Sequence, residues 1–206
     1  MLPVEMIAGR RVLFAMAAGS EYGPHLAARF TPLMIGVGPI EAALSMGIAL
    51  HRLADAGTPP DLVVSLGSAG SRRCPLGEIL QVESVSWRDM DASRLGFEKG
   101  LTPFVDHPVA VPLVTPIDWP LATLSTGANI VGGSDYDAIA ADMVDMETFA
   151  VARACARQGV PLMGLRGVSD GPGELDGIDG WTALLGLLDE RLACAVDALA
   201  QALERG

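Results

Sequence analysis

The chain has 206 residues and a mass of 21.4 kDa, 50% hydrophobic and 19% charged, a balance that builds one large core and excludes disorder and coiled coil. Lysine plus arginine number 14 against 25 aspartate plus glutamate, a net charge of −11, which repels phosphate backbones and argues against nucleic acid or an anionic membrane as partner. Lys99 is the sole lysine and stands outside any phosphate loop or Schiff-base context, while the scattered histidines and cysteines fit no zinc spacing, so no metal or other cofactor is expected.

In chain order, Arg11 to Ala18 is a short apolar run ended by Gly19-Ser20 and predicts the first strand. Leu33 to Val37 is a second apolar run. Gly36-Val37-Gly38-Pro39 then leads into a helix from Ile40 to Ala56, with Pro39 in its first turn and Gly57-Thr58-Pro59-Pro60 as its stop. Asp61 to Leu66 predicts a fully buried strand broken by Gly67-Ser68-Ala69-Gly70, and Gly77 to Trp87 predicts another. Leu101 to Pro120 carries five prolines and is the least regular stretch. Leu121 to Thr126 is a strand ending at Gly127, and Val144 to Glu147 starts a helix reaching about Arg157, with Gly159 as its stop. Val160 to Val168 is a strand, and the tail from Gly180 to Leu203 is an amphipathic closing helix with Leu184, Leu185, Leu188, Leu192, Ala195, Leu199 and Leu203 on one side. The rhythm predicts one α/β domain over residues 1–206, a central twisted mixed sheet flanked by helices. No apolar run is long enough to span a membrane, and a start without signal-peptide features together with sparse cysteines points to the cytoplasm.

Several predicted strands end in loops bearing small or acidic residues: Ser20-Glu21, Gly36-Val37-Gly38, Gly67 to Gly70, Thr126-Gly127, Met146-Glu147 and Ser169-Asp170. In open α/β sheets ligands bind beyond such strand ends. Taken singly, each also fits a plain turn, a helix cap or a first-turn acid.

Together these segments resemble the nucleoside phosphorylase family, and within it the methylthioadenosine/S-adenosylhomocysteine nucleosidase branch. The resemblance rests on Val144-Asp145-Met146-Glu147-Thr148-Phe149-Ala150 followed by Val160-Pro161 and Leu165-Arg166-Gly167-Val168-Ser169-Asp170. Ala15-Met16-Ala17 with Glu21, Gly36-Val37-Gly38, and Leu66 to Gly70 followed by Leu76-Gly77-Glu78-Ile79 support it. It implies that Asp170 is the general acid at purine N7, with a raised pKa, and that Glu21 activates the attacking water. It further implies that Glu147 accepts hydrogen bonds from the ribose hydroxyls, that Met146 packs on the sugar, and that Ser68, Ala69, Gly70 and Ser169 line the pocket. Val37 and Phe97, with Leu95 nearby, would form an apolar 5′ pocket. Departures bear on substrate: Ile130 offers only apolar contact where the family has a stacking aromatic, Arg88 replaces a histidine, and Ala18 replaces a larger residue.

The leading reading is therefore a purine nucleosidase that hydrolyses a 5′-modified adenosine, acting as a homodimer as the family implies. Two rivals stay open. A phosphorylase would use phosphate in place of water, with Arg72 and Arg73 as candidate anchors beside Gly67 to Gly70. A catalytically inactive nucleoside-binding relative would keep the fold alone.

Overall fold

The computed structural model describes residues 2–171, 173 and 181–205. It opens on a hairpin that hydrophobic patterning does not reveal: β1 (Glu5–Ile7) pairs antiparallel with β2 (Arg10–Met16). Ala8 and Gly9 between them both have positive φ, 49° and 77°, the backbone that a two-residue turn between twisted strands requires. β2 then runs parallel to β3 (Leu33–Met34) and β4 (Leu62–Gly70). Only two residues of the Leu33 to Val37 run are strand, because Gly36 and Gly38 turn the chain at φ 82° and 93°.

β4 is parallel to β9 (Leu162–Asp170), which pairs antiparallel with β5 (Ile79–Trp87). β5 carries the short β6 (Ala110–Pro112) on one side and β7 (Leu121–Thr126) on the other. β7 runs parallel to β8 (Met143–Asp145), and β8 returns to β4 through Gly70 opposite Val144. The nine-stranded mixed sheet thus curls until strands β4, β9, β5, β7 and β8 form a ring. That ring brings the ends of β4, β8 and β9 to one place.

Helices α1 (Pro24–Ala27), α2 (Pro39–Asp55), α3 (Thr148–Gln158) and α4 (Leu185–Arg205) surround the sheet. Period-two alternation along β2 divides the core: Leu13 and Ala15 pack with Met46 and Leu50 of α2 and Val151 and Cys155 of α3, while Val12, Phe14 and Met16 join Leu188, Leu192 and Leu199 of α4. A sheet covered on both faces explains why its central strands read as unbroken apolar runs. Gly159, at φ 67°, closes α3 as a left-handed cap. Gly180, the expected start of the last helix, lies outside the described residues; among them, no helix is long and apolar enough to cross a membrane.

Two local expectations are corrected. Gly67 to Gly70 does not break a strand: it is the end of β4, paired with β9 from Arg166 to Asp170. Val144-Asp145 belongs to β8, and the helix starts only at Thr148, after Glu147 as N-cap.

Candidate active site

The site is built around the last four residues of β4. From one side comes a short 3-10 turn, Gly19–Glu21, after β2. Glu21 is 8% exposed, and its carboxylate accepts hydrogen bonds from the Ser68 N–H at 2.7 Å and the Ser68 hydroxyl at 2.6 Å. The Ser68 oxygen in turn accepts the Trp181 indole N–H at 3.0 Å. The segment following Glu21 is pinned by buried Asp189 of α4, whose carboxylate accepts the N–H groups of Gly23, His25 and Leu26. A Cβ on Gly67 would lie 3.3 Å from both Glu21 oxygens, so the glycine in this strand serves close approach.

From the other side comes Glu147, buried, with Oε1 accepting the Gly38 N–H at 2.7 Å. Burial, aided by the neighbouring Asp145 and Glu21 charges and opposed by the Gly38 N–H and Arg166, pushes its carboxyl up to about 7. Beneath it Arg166 and Asp145 form a fully enclosed ion pair at 3.1 Å. Arg166 also donates to the Ser65 carbonyl, the Ser65 hydroxyl and the Thr148 hydroxyl, and Asp145 accepts from Thr126 and Thr148. Glu21, Ser68, Glu147 and Arg166 line one pocket with Ala17, Ile35, Ser65, Leu66 and Gly67.

At the far end of β4, Asp170 stands opposite Gly70 in the strand register. Three residues of strand separate Gly67 from Gly70, roughly 10 Å, and this sets the span between the Glu21 and Asp170 ends. Asp170 Oδ1 accepts the Ser169 hydroxyl at 2.6 Å. Burial raises the Asp170 pKa, and the Ser169 hydrogen bond works against it. Tyr136, 3% exposed, reaches the same spot: a Cβ on Gly70 would lie 2.5 Å from its hydroxyl oxygen and 2.6 Å from Asp170 Oδ2. The adjoining loop after β7 is clamped by Arg88 and Asp89. Arg88 donates to the carbonyls of Ser125, Asp145 and Asn129, and Asp89 accepts the Ala128 N–H at 2.6 Å. A side chain at Gly127 would collide with the Arg88 guanidinium, its Cβ 2.4 Å from Nε.

The structure thus gathers Glu21, Ser68 and Glu147 around one pocket, and Ala69, Gly70, Ser169 and Asp170 at the end of the paired strands β4 and β9. Met146 is half-buried between them in sequence. Val37 and Ile130 are largely exposed, at 57% and 70%, and Phe97 lies edge-on to Phe104, itself 95% exposed. Arg72 and Arg73 are committed elsewhere: Arg72 pairs with Asp137 at 2.6 Å, and Arg73 donates to the Ala140 carbonyl and pairs with Asp142. Sequence reasoning assigned no role to Arg166, Asp145, Trp181 or Tyr136. Arg166 did carry a signal, since a lone arginine inside an apolar strand requires a buried partner.

Residues 124–203 match the family model described as the phosphorylase superfamily. Among curated proteins the chain is 28% identical over 156 residues to the 5′-methylthioadenosine/S-adenosylhomocysteine nucleosidase of Staphylococcus aureus, covering 66% of this chain and 65% of the relative. The chain therefore aligns with just under two thirds of the length of the curated relatives it matches. Among solved structures, a futalosine hydrolase mutant of Helicobacter pylori superposes with a TM-score of 0.76 at 17% identity, over 92% of this chain and 98% of that one. The Campylobacter jejuni 5′-methylthioadenosine/S-adenosylhomocysteine nucleosidase gives 0.77 at 16% identity, over 96% and 100%. These superpositions show a shared fold, one mixed α/β domain around a central sheet.

Proposed function

We propose that the chain is a purine nucleosidase that hydrolyses the N-glycosidic bond of a 5′-modified adenosine of the methylthioadenosine or S-adenosylhomocysteine type, giving free base and 5′-substituted ribose. The observation that carries this reading is the pair of carboxylates, buried Glu21 and half-buried Asp170, at opposite ends of about 10 Å of β4. A glycosidic bond to a purine breaks with negative charge gathering on the base and positive charge on the sugar, so an acid is wanted at one end and a base for water at the other. Asp170 gives its proton to N7 as the bond electrons move onto the base. Water adds to the anomeric carbon and loses a proton to Glu21, which Ser68 holds in place. The raised Asp170 pKa supports the acid role, because it keeps a proton available nearer neutral pH. Glu147 receives the ribose hydroxyls, with Met146 beside the sugar, and Ser169 orients Asp170. The names of the curated and structural relatives support the same chemistry, and the engagement of Arg72 and Arg73 by acidic partners favours water over phosphate as the nucleophile.

A homodimer in the cytoplasm completes the proposal. An exposed apolar stripe on α2, Ile40, Leu44 and Ile48, continues from Val37 and supports a second copy as its cover. The deciding experiment incubates the purified protein with methylthioadenosine, S-adenosylhomocysteine, adenosine, inosine and futalosine, with and without phosphate. Free base and free sugar without phosphate are expected. Sugar phosphate formed only when phosphate is added would overturn hydrolysis, and binding without release would make the chain a nucleoside-binding protein.

A further inference from the structure

Among the described residues the Tyr136 hydroxyl is buried without a hydrogen-bond partner. A phenol stripped of water and left unpaired is costly unless something else completes it. Its ring packs against Val131, Val144 and Ile139, which positions the hydroxyl. It lies beside Asp170 Oδ2, both oxygens reaching the space that a side chain at Gly70 would fill. Burial and the nearby Asp170 charge push the phenol up to about 12, with Arg88 opposing. The hydroxyl therefore stays neutral at ordinary pH and can both donate and accept.

Two polar groups side by side match two polar atoms side by side on a ligand. On a purine, N7 has one such neighbour, the substituent on C6: an amine that donates in adenine, or an oxygen that accepts in a 6-oxopurine. We propose that Tyr136 is a base-binding residue whose hydroxyl hydrogen-bonds the C6 substituent of the purine while Asp170 engages N7. This rests on the nucleosidase reading and adds the group that recognises the leaving base. It also gives a purpose to Gly70, which leaves open the space between the two oxygens. Ile130 supplies no aromatic stacking, so hydrogen bonding at this edge carries more of the base selectivity.

The test is Tyr136→Phe, assayed with nucleosides that share one 5′ group and differ only at C6: amino, oxo, or hydrogen. For the C6-substituted nucleosides that the parent cleaves, kcat/KM is expected to fall roughly ten- to a hundredfold, while the C6-hydrogen nucleoside changes less than about twofold. Because no described residue pairs with the hydroxyl, the variant without ligand should melt no lower than the parent. Equal losses on every nucleoside, no loss on any, or a lowered melting temperature would overturn the proposal. Calorimetric titration with free adenine, hypoxanthine and unsubstituted purine gives a second readout. If the parent releases no base, the nucleosidase reading fails on its own, and Tyr136 is still tested: weaker binding confined to the C6-substituted bases supports its role, and unchanged binding removes it.

Discussion

At the Glu21 end of the site the polar groups are already satisfied. Glu21 holds two donors from Ser68, Glu147 holds the Gly38 N–H, and Arg166 is saturated by Ser65, Asp145 and Thr148. At the Asp170 end they are not: Asp170 has the Ser169 hydroxyl, and Tyr136 has no partner among the described residues. Among the described residues, one end has its polar groups paired and the other has not. That contrast fits a division in which the chemistry at the sugar needs fixed geometry, whereas recognition of the base draws on groups that pair only when it binds.

The sharpest way to break this contrast is to neutralise each carboxylate in turn. Asp170→Asn and Glu21→Gln keep shape and are each expected to lower kcat by about 10² to 10⁴, with the circular dichroism spectrum and melting temperature retained. Undiminished turnover in either variant would remove that residue from the proposed mechanism. Arg166→Met tests the other side of the contrast, the cost of disturbing the paired end. It leaves the Asp145 carboxylate enclosed with only Thr126 and Thr148, and a loss of about 3–5 kcal/mol in urea unfolding is expected. A loss under 1 kcal/mol would mean that the ion pair contributes little to the fold.

A smaller effect, confined to activity, is expected from Gly70→Ala. The new methyl would meet the Tyr136 hydroxyl, Asp170 Oδ2 and Val144 within 3.2 Å, displacing the acid from its place. Turnover should drop by roughly 10², while Gly67→Ala, whose methyl meets the Glu21 oxygens at 3.3 Å, should drop it less. The reverse order in measured kcat would show that the Glu21 end is the less tolerant of the two.

Much of the fold was legible because its elements are long and periodic. α2, β7, α3 and α4 follow from apolar spacing with Pro39 and Gly159 as punctuation. The three-residue strands β1 and β8 are too short to show a period. Gly67 to Gly70 read as a turn because close approach and turning both select small residues, and only the tertiary neighbours, Glu21 and Tyr136, tell them apart. In the site, Glu21, Glu147 and Asp170 were named from the sequence through their matching segments. Tyr136 was not, since Gly133–Ala138 is a polar 3-10 stretch with nothing in its pattern to mark a side chain as buried.

Glu147 gives the finest test of how the paired end is held together. Its carboxyl sits near 4.5 in the unfolded chain and is pushed up to about 7 in the fold, so between those values the folded protein holds the extra proton. Stability linked to this group is complete below about 4.5 and is lost as pH rises through about 7. Asp170 is shifted the same way, whereas Asp61, Asp142 and Asp197 are held low by their hydrogen-bonded partners and act at more acid pH. The useful quantity is therefore the difference between Glu147→Gln and the parent, which isolates one group. Gln keeps an oxygen for the Gly38 N–H but has no charge to bury, so the variant should gain on the parent as pH goes from 5 to 8 and hold that gain above 8. Urea unfolding at both pH values measures it. A difference that does not change with pH would mean that Glu147 ionises in the fold as readily as in water, and that its contact with Gly38 offsets its burial beside Asp145.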